Sequence, residues 1–433
     1  MSSAAAVHDL VGVGIGPFNL ALAALADAVP DTSAVFLDAK PEFSWHPGML
    51  IEGTTVQVPF LADLVTLVDP TSRWSFLSYL RAHDRLFPFY FAERFHLPRR
   101  EYDHYCRWVA QALPSCRFGT KVRAVRFDPA DGVFVVQTGE ETLQARNVVL
   151  GVGTEPVVPE PLRALLGKEV FHSADYLDAA DTLHDARDIT VIGSGQSGAE
   201  VFVDLLGKQP QAGWRLRWLT RSPAFAPMEY SKLGLEHFTS DYTRYFHGLA
   251  ATTRRALVPS QWQLYKAISA ATIAKIHDLL YERSIGGDWP DVRMTPNVEV
   301  TAAAHHSSGL ELSCRHTQQD HEFTVLTDRV VLATGYAARM PECLGPLAGL
   351  LDLDEQGRYR VDERYRVALD QTVSAGLYVQ NAEAHTHGVG TPDLGLGAYR
   401  AAVILNAVAG HPVYPLPTRT AFTTFGAAEM QAP

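Results

Sequence analysis

Two glycine turns carry the chemistry most open to reading in this chain. Gly12-Val13-Gly14-Ile15-Gly16-Pro17 follows the short strand-like run Val7–Val11, and Gly193-Ser194-Gly195-Gln196-Ser197-Gly198 follows Ile189–Ile192. A glycine turn between a strand and a helix lets backbone come close to a pyrophosphate, and the helix N-terminus faces its negative charge. One such turn is a weak signal. Two of them, about 180 residues apart, imply two dinucleotides held in two domains. The usual purpose of holding two is to pass electrons from one to the other. The residues that end the strands after the turns differ in charge. Asp38 can accept the hydroxyls of an adenosine ribose and would repel a 2′-phosphate, which suits FAD. Arg221 can clamp a 2′-phosphate through two hydrogen bonds, which suits NADPH. The expectation is a flavoprotein reduced by a nicotinamide.

The elements that must hold these turns are β-α-β units. His8–Val13 reads as strand, the alanine-rich run Asn19–Ala28 as helix, and Ala34–Leu37 as strand. A β-meander follows in Val122–Phe127, Val133–Thr138 and Val148–Leu150. The second unit starts near Asp188 and reaches its next strand at Arg215–Leu219. Residues 222–290 break the pattern with Pro223, Pro227 and a helical run from Gln261 to Tyr281, and read as an insertion that contacts substrate. Strands return at Val298–Ala302, Val330–Leu332 and Tyr378–Asn381, before a helix from Ala398 to Val408. The fold class expected is α/β, with two Rossmann-like dinucleotide-binding domains and a small, mostly helical insertion. Residues 1–165 and 325–433 would form a discontinuous FAD domain and 166–325 an NADPH domain, with 222–290 inserted in it.

Bulk properties narrow the partners. A chain of 433 residues is long enough for two or three cores. Its net charge of −11, with no basic run, argues against nucleic acid. The apolar run Leu20–Ala26 is short and reads as a buried helix, so no membrane partner is expected. Met1 to Val7 lacks the pattern of a secretion signal. Cys106, Cys116, Cys314 and Cys343 form no C-x-x-C pair, which removes a dithiol reductase and fits a reducing cytoplasm. His385 and His387 have the spacing of a metal pair on a strand, but no third ligand accompanies them, and no metal is expected.

Further runs carry a resemblance. They are Gly12 to Leu20, Phe43-Ser44-Trp45-His46-Pro47-Gly48-Met49, Asp63-Leu64-Val65, Asp69-Pro70-Thr71-Ser72 and Ser75 to Leu80, then Ala333-Thr334-Gly335-Tyr336 and Val379 to Gly388. Together, and in this order, they resemble the N-hydroxylating flavin monooxygenases of hydroxamate siderophore biosynthesis. The resemblance implies a cycle in which NADPH reduces FAD and O₂ adds at the flavin C4a atom. The hydroperoxide then gives its distal oxygen to a neutral primary amine, while NADP⁺ stays bound. The cofactor carries that chemistry, and the protein positions and protects it. Gly12, Gly14, Gly16, Pro17 and Asp38 would hold FAD, with Trp45, His46 and Leu394 beside it. Gly193, Ser194, Gln196, Ser197 and Arg221 would hold NADPH. Gln57 and Asn381 would orient the reactants. The same resemblance implies a homo-oligomer, tetramer or dimer. A Baeyer–Villiger or sulfur-oxidising flavin enzyme is the alternative within the cofactor class, and a flavin-binding regulator the non-catalytic one.

The amine is read from three departures. Lysine and ornithine members carry a lysine in Phe-Leu-Lys-Asp-Leu that neutralises the amino-acid carboxylate. This chain has Phe60-Leu61-Ala62-Asp63-Leu64. Leu235 aligns with a second carboxylate contact, an asparagine, and Gly395 with a third, a serine. An unpaired buried carboxylate costs several kcal/mol, as an order of magnitude. A substrate without one is therefore expected, namely putrescine or cadaverine, with L-lysine as the alternative. Glu236, Asp241 and Glu383 are the candidate acceptors for the second ammonium.

Overall fold

The computed structural model describes residues 6–427. Residues 1–5, read above as carrying no secretion signal, and residues 428–433 of the first domain lie outside them. Two parallel sheets of five strands organise the chain. The first runs Gly376–Val379, Asn147–Leu150, Leu10–Val13, Ala34–Leu37, Cys116–Arg117. Its register pairs Val11 with Val148 on one side and Val35 on the other. The second runs Val170–His172, Arg329–Leu332, Asp188–Ile192, Arg215–Leu219, Val292–Thr295.

Each glycine turn opens the crossover helix of its sheet. Pro17–Ala26 starts with proline at its first position, where a missing N–H costs nothing. Its leucines and alanines are buried, so the helix lies flat between the sheet and Gly397–Ala409. Gln196–Ala212 covers the second sheet, and Gly213 ends it in the left-handed conformation.

The chain passes between the sheets twice, and the two passages pair as antiparallel Thr154–Pro156 and Tyr336–Ala338. This corrects the expected domain limits at 165 and 325. Leu162 packs in the second unit with Val170 and Val330, and Arg329–Leu332 is a central strand of the second sheet. Val298–His306 is not a lone strand. It pairs with Gly309–His316, which pairs with His321–Thr327, in an antiparallel meander. The helical run expected from Gln261 to Tyr281 is broken. Trp262–Tyr265 ends one turn, and Ser269 caps a new helix, Ala270–Arg283, by accepting from the Thr272 amide. That helix packs on Gln196–Ala212, whereas Ser240–His247 and Ala251–Ser260 pack on the turn Ala384–His387 of the first unit. The insertion therefore bridges both units. No helix among the described residues is long and apolar enough to cross a membrane.

Candidate active site

One cleft of about 3240 Å³ runs between the two sheets. A single small ligand takes roughly 300–1,000 Å³, so this cleft has room for more than one. Both glycine turns open onto it.

At the first turn, Gly14 has φ +88°, and a Cβ there would lie 2.5 Å from the Gly151 carbonyl oxygen. Gly16 faces open space, and no side chain caps the helix it begins. Free amides at an uncapped helix start are what a pyrophosphate needs. Gly12 does not reach the cleft, which corrects its expected role. It sits within Leu10–Val13, and a Cβ there would strike the Phe36 ring. Buried Asp38 lines the cleft and accepts from the Ile15 amide at 2.7 Å and the Lys40 amide at 2.8 Å. Each oxygen keeps a lone pair for a ribose hydroxyl. The sequence reading missed Asn19. Fully buried, it donates to the carbonyls of Gly14 and Val13 and accepts from Gln380, so it locks the turn to the strand end of Gly376–Val379. A polar residue one turn into an alanine-rich helix was the available signal.

The second turn is built alike. Gly193 has φ +115°, and any Cβ would collide with the Ala333 carbonyl. Gly195 starts the helix with no side-chain cap. Ser194 accepts from the Thr220 hydroxyl at 2.9 Å, and both Ser194 and Ser197 line the cleft. Arg221 is exposed on the lining, with no hydrogen bond or ion pair among the described residues. Gln196 also lines the cleft, and its side chain holds the turn in place. Its amide nitrogen donates to Glu200 and Thr272, and its oxygen accepts from Ser269, so it ties the turn to the insertion.

Between the turns lie Trp45, His46, Gln57, Asn381 and Leu394, all on the lining. The Trp45 amide donates to Asp103 at 2.8 Å, and its ring meets Tyr102 edge-on. His46 sits at φ +47°, and burial, then Arg99 and Lys40, lower its pKa to about 4. It is neutral at physiological pH. Gln57 donates to the Thr55 carbonyl, leaving its oxygen to the cleft. Asn381 holds φ +67°. Arg99 reaches across the cleft to Glu200 at 3.2 Å and passes over the Trp45 ring. It joins the flank of the first unit to the helix of the second.

Ala62, Leu235 and Gly395 all line the cleft, and Ala62 and Gly395 come together there. A Cβ on Gly395 would lie 3.9 Å from that of Ala62. The three acids expected near them are occupied elsewhere. Glu236 accepts from the amides of Phe422 and Thr423 and from the Thr423 hydroxyl, and these bonds hold its carboxyl below the usual range. Asp241 accepts from Thr420 and Ala421 and pairs with Arg244. Both acids fasten the C-terminal segment. Glu383 is fully buried opposite Arg400 at 3.1 Å. In place of these, Asp393 faces the cleft beside Gly395. Burial pushes its carboxyl up to about 6, against the pull of the Gly395 amide and Arg400.

His385 and His387 share a helical turn, not a strand, so their side chains point about 160° apart. His385 bonds the Tyr359 carbonyl and His387 the Thr386 hydroxyl. Among the described residues no three His, Cys, Asp or Glu side chains cluster as a metal site would need.

Two glycine-turn domains facing one cleft define an oxidoreductase that works with two dinucleotides. The model of the L-lysine 6-monooxygenase/L-ornithine 5-monooxygenase family matches residues 6–338, and the chain belongs to that family. It is an amine N-monooxygenase. It is 46% identical over 435 residues to the rhizobactin siderophore biosynthesis protein of Rhizobium meliloti, covering 98% of this chain and 96% of that one. It is 43% identical over 425 residues to the putrescine N-hydroxylase of Shewanella oneidensis, covering 97% and 84%. Among solved structures, the FAD-bound cadaverine monooxygenase of the desferrioxamine biosynthetic pathway from Erwinia amylovora superposes with a TM-score of 0.94 at 39% identity. The match covers 98% of this chain and 99% of that one.

Proposed function

We propose that this enzyme uses FAD, NADPH and O₂ to hydroxylate one nitrogen of a linear diamine, putrescine or cadaverine, for a hydroxamate siderophore. The observation that carries the substrate is the meeting of Ala62 and Gly395 on the cleft wall, which Leu235 also lines. In the lysine and ornithine branch these positions hold a carboxylate, and here none has a polar side chain. Bound FAD, once reduced by NADPH, supplies the oxygen chemistry. The first turn, with Asp38, holds FAD; the second, with Arg221, holds NADPH. Trp45, His46 and Leu394 wall the reacting centre from water, and Gln57 and Asn381 orient the reactants. An amine must be neutral to attack through its lone pair, and the apolar Leu394 beside the reacting centre disfavours an ammonium there.

Product formed per NADPH consumed, compared for putrescine, cadaverine, lysine and ornithine, tests the reading. Diamines are expected to be the better substrates, and preferential turnover of lysine would overturn it. Ala62→Lys sets a cation against the second ammonium and should cut kcat/KM for diamines at least about tenfold, the equivalent of ~1.4 kcal/mol.

Arg221→Ala should raise the KM for NADPH by about 10–100-fold, the range expected for lost charge-assisted hydrogen bonds. The ratio of kcat/KM for NADPH over NADH should fall with it. Equal losses with both cofactors would show that Arg221 does not read the 2′-phosphate.

We infer further a homo-oligomer of two or four copies in the cytoplasm. Phe87, Tyr90 and Phe91, on one short helix, are 75%, 73% and 74% exposed, an aromatic patch of the kind subunit contacts cover. All four cysteines are free, as a reducing compartment keeps them. The molecular mass in solution tests the first point.

A further inference from the structure

We propose that Asp393 accepts the ammonium at the far end of the diamine and so makes this site select substrates with two amino groups. The inference rests on the diamine reading above and adds the residue that reads the second charge.

Asp393 starts the turn Leu394–Leu396 and lines the cleft. Its Oδ1 accepts the Gly395 amide at 2.7 Å, which fixes the carboxylate in orientation. Its Oδ2 has no hydrogen-bond partner among the described residues, and the side chain has no ion pair there. The cation behind it, Arg400, is turned to Glu383 and to the Thr391 carbonyl. A carboxylate set in a protein wall without its own cation is poorly stabilised until something brings one. A terminal ammonium supplies that charge with up to three donors.

The wall beside Asp393 is built of small residues. A Cβ on Gly395 would lie 2.7 Å from Oδ1, the oxygen already bound to the Gly395 amide, and 3.9 Å from the Ala62 Cβ. A long side chain at Ala62 would therefore reach the stretch of wall that carries the carboxylate. Glu236 and Asp241 hold the C-terminal segment, Glu383 faces Arg400, Asp354 is forked to Arg358 and Glu355 lies 3.9 Å from Arg255. Glu299 and Glu342 also line the cleft, but Asp393 is the acid set against Gly395 and, through it, Ala62. The same carboxylate opposes amino acids, because the α-carboxylate of lysine would meet a like charge where a cation is wanted. One residue thus rewards the diamine and penalises its amino-acid counterpart.

The test compares putrescine with n-butylamine, which has the same chain and no second amine, in the holoenzyme and in Asp393→Asn. Asparagine keeps the shape, and its carbonyl can still accept the Gly395 amide. The wild type is expected to favour putrescine in kcat/KM, and in Asp393→Asn the putrescine-to-butylamine ratio should fall at least tenfold, mainly through KM. If both amines lose equally and the ratio stands, Asp393 is only the cap of its turn and the inference is overturned. Asp393→Glu keeps the charge but extends it by one methylene. It should retain the preference for two amines and shift the best substrate toward the shorter diamine; an unshifted length preference counts against the inference. A wild type that prefers lysine to both diamines defeats the underlying reading. A wild type that prefers diamines, with a ratio that survives Asp393→Asn, defeats only the assignment of Asp393.

Discussion

Gly14→Ala is expected to give protein that purifies without bound flavin, whereas Gly193→Ala protein should purify yellow and resist reduction by NADPH. At Gly14 a side chain must adopt φ +88° and lie 2.5 Å from the Gly151 carbonyl oxygen. At Gly193 it must adopt φ +115° and enter the Ala333 carbonyl. The left-handed backbone alone costs a non-glycine residue about 1–2 kcal/mol. The collisions add more, because both obstacles are strand-end backbone that cannot rotate away. Relief comes only by moving the turn off its helix, which removes the amides that a pyrophosphate uses. The effects separate because each turn belongs to its own sheet. Visible absorbance after purification reads the first variant. Anaerobic reduction reads the second: dithionite should bleach the flavin of Gly193→Ala, and NADPH should not. If Gly193→Ala loses flavin while Gly14→Ala keeps it, the assignment of cofactors to the two turns is reversed.

The parts of this site legible in the sequence are those whose signal is local. A glycine turn lies between a strand and a helix in the chain itself, so Gly14, Gly193, Asp38 and Arg221 could be placed on the cleft before any contact was known. Leu310, Leu312 and Cys314 alternate inward with Glu311, Ser313 and Arg315, so the missed strand Gly309–His316 did carry a period-two signal. Acid chemistry was not legible in the same way. Glu236 and Asp241 look available because their partners, Thr423 and Thr420, lie 187 and 179 residues away. Asp393 was overlooked for a different reason. Its spacing to Gly395 is that of an ordinary turn cap, and only the folded chain shows that its second oxygen is left to the cleft beside Ala62.

Arg400→Met is expected to destabilise the folded enzyme by about 3–5 kcal/mol, the range for breaking a buried pair by deleting one member. Arg400 is 1% exposed and Glu383 fully buried, so neither can turn to water when its partner is lost. The two approach to 3.1 Å without the alignment of a hydrogen bond, so their attraction is chiefly charge on charge in a poorly solvated place. Deleting the guanidinium also removes the donor to the Thr391 carbonyl at 2.6 Å and the cation over the Phe18 ring. These contacts gather three cleft segments around one side chain: the first glycine turn at Phe18, the Asn381–Glu383 turn, and the approach to Asp393. Arg400→Lys should recover only part of the loss, because an ammonium cannot serve Glu383 and the Thr391 carbonyl from a planar fork. The double variant Arg400→Met/Glu383→Leu should be more stable than Arg400→Met alone, since it removes the stranded charge together with its partner. Denaturant titration of the three variants beside the wild type decides the matter. A midpoint for Arg400→Met equal to that of the wild type would mean that Glu383 is neutral in the folded chain and that the pair does not organise this wall.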